Sequence, residues 1–193
     1  MRRLFATAAG AAALIGLAGC STISSVPAGP MSMGEHVRVE SPQAWSDVSS
    51  LESRKSAKVR VLSIDGPLLN RLYLVQGLAT GEGLLKPQGK DNRVPTFRPD
   101  MSPSEEVELI SDSVAAFGYL RVETAKLRPA RLGGADAVRF DISAETEDGL
   151  DIRGAAEVAL VNGKLFSIIY LAPSEHYFSE TLPIVESIFH SGA

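Results

Sequence analysis

The residues best suited to hydrolytic chemistry lie near the C-terminus, at Ser174, Glu175, His176 and Tyr177. A serine hydroxyl beside a histidine can act as a nucleophile with its general base, and a carboxylate can orient the imidazole. These four residues are consecutive, so a helix would point their side chains in different directions. The chain also lacks a nucleophile elbow of the form G-x-S-x-G. We therefore expect no catalytic site.

Metal and cofactor chemistry has little support in the sequence. The three histidines, His36, His176 and His190, are far apart and lack a second ligand at metal-binding spacing. An acidic run loosely resembles a calcium loop but departs from the EF-hand order, and it consists of Glu145, Glu147, Asp148 and Asp151. Polar residues are also what a hairpin turn requires there. No Walker A or dinucleotide-binding glycine pattern occurs, so we expect no metal and no cofactor.

A cationic segment is the strongest candidate for ligand contact. Residues 78–101 show no hydrophobic period, and their cations are Lys86, Lys90, Arg93 and Arg98. Loops of this length are uncommon in compact domains unless they have a function. One hypothesis is contact with anionic phosphate groups of lipid or glycan near a membrane. The alternative is an ordinary solvated loop.

Cys20 is the single cysteine, which excludes an intramolecular disulfide, and a thiolate can accept a thioether-linked lipid. It follows Arg2, Arg3 and an apolar run from Leu4 to Leu17, which is short for a membrane span and typical of a signal peptide. The stretch Leu17-Ala18-Gly19-Cys20 resembles the lipobox of bacterial lipoproteins. A plain secretory leader with an incidental cysteine is the alternative.

The lipoprotein resemblance implies a signal peptide over residues 1–19, cleaved before Cys20, and acyl chains on that residue. Several acyl chains make membrane anchoring durable. The Ser21 that follows would, by the same resemblance, permit sorting to the outer membrane, facing the periplasm. Residues 20–34 then form a lipidated cysteine with a flexible tether rich in Ser, Pro and Gly. The folded part is predicted to be one domain over residues 35–193.

Composition restricts the class of partner. The formal net charge is −4, and 45% of the residues are hydrophobic. An acidic balance argues against nucleic-acid binding, which requires a basic surface. The hydrophobic fraction is that of an ordinary globular domain.

Alternating hydrophobic residues predict an antiparallel meander from Ala135 to Ala172. Its last strand begins after Asn162-Gly163, a strong signal for a type I′ hairpin turn. This strand is apolar on both faces, which predicts a central strand covered on both sides. Pro129 to Gly134 is interpreted as the turn that leads into the meander.

Two helices are expected to pack on the sheet. Ser102, Pro103 and Glu105 form a helix start with a capping box. A second helix is predicted from a Ser174 cap to residue 190, with a break or kink at Pro183. The fold class is therefore α+β, and the order of elements resembles the Mog1/PsbP-like sandwich. That resemblance implies a binding or assembly factor.

These observations favour a lipid-anchored, non-catalytic binding or assembly module of the bacterial cell envelope. Its partners would be the membrane, through the lipid, and an envelope protein or lipid. One alternative is a carrier of a small apolar ligand, which requires a deep apolar pocket. Another is an envelope hydrolase, which requires converging polar groups with perturbed pKa values in a cleft. A binding module would instead show an exposed apolar or charged patch.

Overall fold

An antiparallel sheet of eight strands forms the centre of the computed structural model, which describes residues 23–89 and 93–193. The strands are β1 (Ser24–Val26), β2 (Gly29–Met33), β3 (Val37–Ser41), β4 (Trp45–Asp47), β5 (Val59–Ser63), β6 (Arg71–Leu78), β7 (Leu120–Leu132), β8 (Ala135–Glu145), β9 (Asp151–Val161) and β10 (Lys164–Pro173). The helices are α1 (Pro103–Ala116), α2 (Tyr177–Ser191) and a 3₁₀ helix (Ser49–Leu51). The sheet order is β1-β4-β5-β6-β10-β9-β8-β7, and β2 pairs with β3 in a separate hairpin. This architecture confirms the α+β prediction.

The predicted meander is present, and β10 lies between β6 and β9. Asn162 and Gly163 both have positive φ, at 51° and 73°, as a type I′ turn requires. Side chains of β10 alternate between two hydrophobic cores: Ile169 and Leu171 face one, and Ile168 and Tyr170 face the other. The strand is therefore covered on both sides, as its apolar sequence predicts.

The two cores define the layers. Helix α1 covers one face of the sheet through Val107, Ile110 and Val114. Helix α2 and the β2–β3 hairpin cover the other, with Val185 and Ile188 among the buried side chains. The predicted capping box of α1 is confirmed, since the Glu105 amide donates to the Ser102 hydroxyl and the Ser102 amide donates to the Glu105 carboxylate.

Helix α2 differs from its prediction in both start and continuity. It begins at Tyr177, and its N-cap is His176, which has a φ of 68°, rather than Ser174. The helix continues through Pro183 without a break. Thr181, before the proline, and Val185, after it, are both buried on the same layer, so packing on the sheet side holds the two halves together.

The flexible-tether prediction is wrong for residues 24–33. These residues form β1 and β2, with Met31 and Met33 exposed by only 3% and 0%. The folded domain therefore begins before residue 35. The proposed signal peptide, the lipobox and Cys20 lie outside the described residues.

Two further segments differ from the sequence interpretation. Strand β7 continues through Pro129 to Leu132, so the turn is Gly133-Gly134. Proline is tolerated because β7 is the edge strand. In the described part of the 78–101 segment, Leu84, Leu85 and Phe97 are buried in the α1-side core. This segment is irregular in backbone, yet it supplies core side chains.

Candidate functional site

An open groove of about 610 Å³ lies between the start of α1 and the outer strands of the sheet. Its principal lining residues are Met101, Pro103, Glu106, Leu127, Val138 and Leu160. We call it the α1 groove. Its volume falls within the range of small-molecule and peptide side-chain sites. Because it is open rather than enclosed, it suits an extended segment better than a fully buried ligand.

A β-bulge places Leu127 in the α1 groove. The register between β7 and β8 shifts between Ala125 and Arg128, and Lys126 has a φ of 54°. Such a bulge gives the strand one extra residue and redirects the side chains beside it. Leu127 consequently lines the groove while half of it (51%) remains exposed. It is an apolar contact available to a partner.

Glu106 places a carboxyl group beside the apolar side chains of the α1 groove. The residue is 6% exposed, and burial raises the pKa of its carboxyl group. Among the described residues, no side chain forms an ion pair or hydrogen bond with it. The carboxyl oxygens are not among the fully buried unpartnered atoms of the described residues, so they keep some contact with solvent. A cation or hydrogen-bond donor brought in by a ligand could therefore reach this partly desolvated carboxyl group and would be favoured there.

The other charged groups at the α1 groove are Arg128 and Asp136. The Arg128 guanidinium donates to the Lys126 carbonyl at 2.8 Å and to the Asp141 carboxylate at 3.1 Å. The Asp136 carboxylate is almost fully exposed and lies 3.4 Å from Arg131. Arg128 of the lining and the neighbouring Arg131 are thus already paired with carboxylates. Glu106 is the charged residue of the lining that has no counter-charge among the described residues.

A separate buried ion cluster joins α2 to the sheet. The Arg139 guanidinium lies 2.6 Å from Glu186 and 3.9 Å from Glu157, and it stacks on the Phe189 ring at 3.5 Å. Burial raises the pKa of Glu157 to about 7, although the charge of Arg139 acts in the opposite direction. The adjoining cavity has no serine, cysteine or lysine in its lining. The cluster therefore fits a role in docking α2 better than nucleophilic catalysis.

The predicted cationic site is dispersed in the described part of the segment. Lys86 and Arg98 line different clefts, and Arg93 is exposed. The Arg98 guanidinium is already within 3.0 Å of Glu105 and 3.5 Å of Asp100. Lys90 lies outside the described residues. Anion contact by these four cations stays a prediction.

The C-terminal polar run does not form a catalytic arrangement in the structure. His176 precedes α2 with its ring edge-on to Tyr177, and the Ser174 amide donates to the Asp151 carbonyl.

Across residues 23–89 and 93–193, no three metal-ligating side chains converge on a common point. The Glu145 carboxylate of the acidic run pairs with Arg121 instead. No helix described here has the length and hydrophobicity needed to cross a membrane.

The sequence interpretation missed Glu106 and Leu127. Glu106 lies one helical turn before Ile110, on the stripe of α1 that faces the sheet, so helical spacing alone could have identified a carboxylate on a buried face. Leu127 gave no comparable signal. Its position depends on a bulge that is specified by pairing with β8.

Comparisons with known proteins support the fold. The chain is similar in structure to cyanobacterial PsbP (CyanoP) from Synechocystis sp. PCC 6803, with a TM-score of 0.53, 13% sequence identity, and coverage of 94% of this chain and 96% of that one. It is also similar to the Ran-binding protein Mog1p of Saccharomyces cerevisiae, with a TM-score of 0.52, 9% identity, and coverage of 88% and 95%. No protein-family model and no curated protein matches the sequence. The Mog1/PsbP-like fold expected from the sequence is therefore present.

Proposed function

We propose that this protein is a lipid-anchored binding module of the bacterial cell envelope, without catalytic activity, that holds an apolar segment of a partner protein in the α1 groove. The segment bears a basic side chain that pairs with Glu106. The anchor is the lipid predicted on Cys20, and the domain faces the periplasm from the outer membrane. The observation that supports the binding role is the open, largely apolar groove with one unpaired, partly desolvated carboxyl group in its lining.

The groove geometry favours this function over the two alternatives. A carrier of a small apolar ligand would enclose its ligand, whereas the α1 groove is open to solvent. A hydrolase would need a nucleophile activated by a base, and among the described residues no serine hydroxyl donates to a histidine ring; the Ser102 hydroxyl that contacts Glu105 belongs to the capping box of α1. Protein binding is also compatible with the fold, since one structural neighbour is a Ran-binding protein.

Binding of a short peptide tests where the partner docks. The probe is a fluorescent acetylated peptide, Leu-Val-Lys-Leu-Leu-amide, titrated with the protein while fluorescence anisotropy is recorded. Replacing the exposed apolar contact with a charge, Leu127→Asp, should weaken binding tenfold or more, because a carboxylate would then have to be desolvated against apolar side chains.

The matched control is Leu120→Asp. Leu120 is on the same strand, is similarly exposed at 46%, and does not line the α1 groove. Its substitution should leave the affinity unchanged. Equal loss in both variants, or no saturable binding by the wild-type protein, would rule out the α1 groove as the docking site.

A further inference from the structure

A second cleft, of about 420 Å³, opens at the end of the sheet where β6 begins and β10 ends. It is separate from the α1 groove and shares no lining residue with it. Two arginines, Arg54 and Arg71, line it together with apolar side chains, and we call it the arginine cleft. We infer that the arginine cleft binds a carboxylic acid that has one negative charge and an apolar body.

Arg54 provides the unpaired positive charge. Its Nε atom is buried and has no hydrogen-bond partner, and its guanidinium forms no ion pair with the described residues. The backbone around it is fixed, because the Lys86 amide donates to the Arg54 carbonyl at 2.7 Å and Lys55 bridges to Leu85. Nε is closed off from solvent, so a ligand would reach this half-buried side chain through its outer nitrogens, which form no hydrogen bond or ion pair within the described residues. A carboxylate in the cleft would supply the missing counter-charge.

Arg71 is held in place by groups of the protein itself. Its Nε donates to the Pro67 carbonyl at 2.6 Å, and its Nη1 lies 3.2 Å from both the Glu52 carboxylate and the Tyr73 hydroxyl. Burial raises the pKa of Tyr73, so that hydroxyl stays neutral. Glu52 therefore balances the charge of Arg71. The Nη2 group makes no hydrogen bond within the described residues and can donate to a ligand oxygen.

The rest of the lining determines the shape and charge of the ligand. The apolar part of the lining includes Phe117, Ile152 and Leu171, and Leu68 beside them is 82% exposed. The uncharged polar residues of the lining are Asn70, Tyr119 and Thr146. Because Glu52 balances the charge of Arg71, Arg54 is the one cation of the lining without a counter-charge. A single positive charge matches a carboxylate better than a doubly charged phosphate. Glu147 is the acidic residue in the lining; it is exposed and lies beyond ion-pair distance of either arginine. Its charge would oppose an anion.

The test is calorimetric titration of the full chain at neutral pH with 6-phenylhexanoate. The alcohol 6-phenylhexan-1-ol and the dianion 6-phenylhexyl phosphate serve as comparison ligands. Saturable binding of the carboxylate is expected, with the alcohol at least about tenfold weaker, since a charge-assisted hydrogen bond is lost. Binding of the alcohol as tightly as the acid would overturn the inference. Tighter binding of the phosphate would overturn the assignment to a carboxylate.

Two substitutions locate the interaction. Arg54→Gln should weaken carboxylate binding about tenfold, whereas Arg38→Gln, the same change at an exposed position of β3, should not. Glu147→Gln changes an exposed rim residue and should tighten binding, so it remains informative even if the Arg54 variant folds poorly. Equal affinity in the Arg54→Gln and wild-type chains, or weaker binding after Glu147→Gln, would exclude the arginine cleft. None of these outcomes depends on the peptide-binding role of the α1 groove.

Discussion

Single buried charges determine much of the chemistry of this protein. Glu106 and Arg139 are buried and Arg54 is half-buried, and these charged residues differ in whether the protein supplies a counter-charge. Arg139 has two carboxylates and an aromatic ring around it. Glu106 and Arg54 have no ionic partner among the described residues. Unpaired buried charges are costly, which is why they are the residues we assign to ligands.

The Glu157 carboxyl group gives a pH prediction at the residue scale. Burial raises its pKa from 4.5 to about 7 in the folded state, so the folded chain holds the proton more tightly than the unfolded chain. The stabilisation is complete below about pH 4.5 and is lost as the pH rises through 7. The loss is on the order of 3 kcal/mol. Other groups that face Glu157 are Arg139, Glu186, His190 and Arg128.

The measurement is urea unfolding of wild type and Glu157→Gln from pH 4.5 to 8. The glutamine stays neutral, so the variant should gain stability relative to wild type as the pH rises. Glu180→Gln, an exposed site on α2, should follow wild type. A wild-type-to-Glu157→Gln difference that is constant with pH would show that folding does not shift the pKa of Glu157.

At the scale of elements, the sequence predicts the structure correctly where residues close together in the chain determine it. The capping box of α1 and the Asn162-Gly163 turn are both short-range features, and both are confirmed. Strand β10 is apolar on both faces, and this pattern correctly predicts its position between two other strands of the sheet. Strand β2 was missed because Gly29, Pro30 and serines resemble a linker, and its pairing with β3 supplies the structure.

The α1 groove could be predicted only in part, because it depends on contacts between residues that are distant in the sequence. Helical spacing places Glu106 on the sheet-facing side of α1, but the opposing strand residues lie 21 (Leu127) to 54 (Leu160) positions later in the chain. Their meeting depends on the β7 bulge and on how α1 packs. The cationic segment (residues 78–101) has buried residues, including Phe97, that have no periodic spacing. Its sequence therefore indicates a solvated loop and does not reveal its contribution to the core.

Strand β2 gives the prediction at the element scale. A chain that starts at Glu35 lacks Met31 and Met33, which are buried against α2 and the sheet. Each lost methionine should cost about 2–5 kcal/mol. The thermal melting temperature of this chain should therefore lie well below that of a chain starting at Ile23. Melting of the two within about 2 °C of each other would mean that β2 contributes little to the fold.

At the scale of the whole molecule, the proposed lipid anchor would determine where the domain acts. If Cys20 accepts the lipid, Cys20→Ser should accumulate as an unprocessed or soluble precursor, because the acyl chains are the source of durable membrane attachment. Fractionation of bacterial cells with an immunoblot for mass and membrane content checks this. A variant that still partitions into membranes at the mature mass would contradict lipidation at Cys20.

The two clefts give the molecule two binding surfaces of opposite electrostatic character. The α1 groove has an unpaired carboxyl group, and the arginine cleft has an unpaired guanidinium. With a net charge of −4, the chain has no general attraction for anions, so each preference has to come from local geometry. The central claim is that Glu106 pairs with a basic residue of an apolar segment.

A double-mutant cycle tests that pairing most directly. Affinities are measured for wild type and Glu106→Gln, each with the lysine peptide and with a peptide in which norleucine replaces lysine. The account predicts that the two changes are coupled, by about 1 kcal/mol or more, because the ion pair forms in a partly desolvated groove. Additive effects, with lysine contributing equally to binding in both proteins, would contradict the pairing of Glu106 with a basic partner residue.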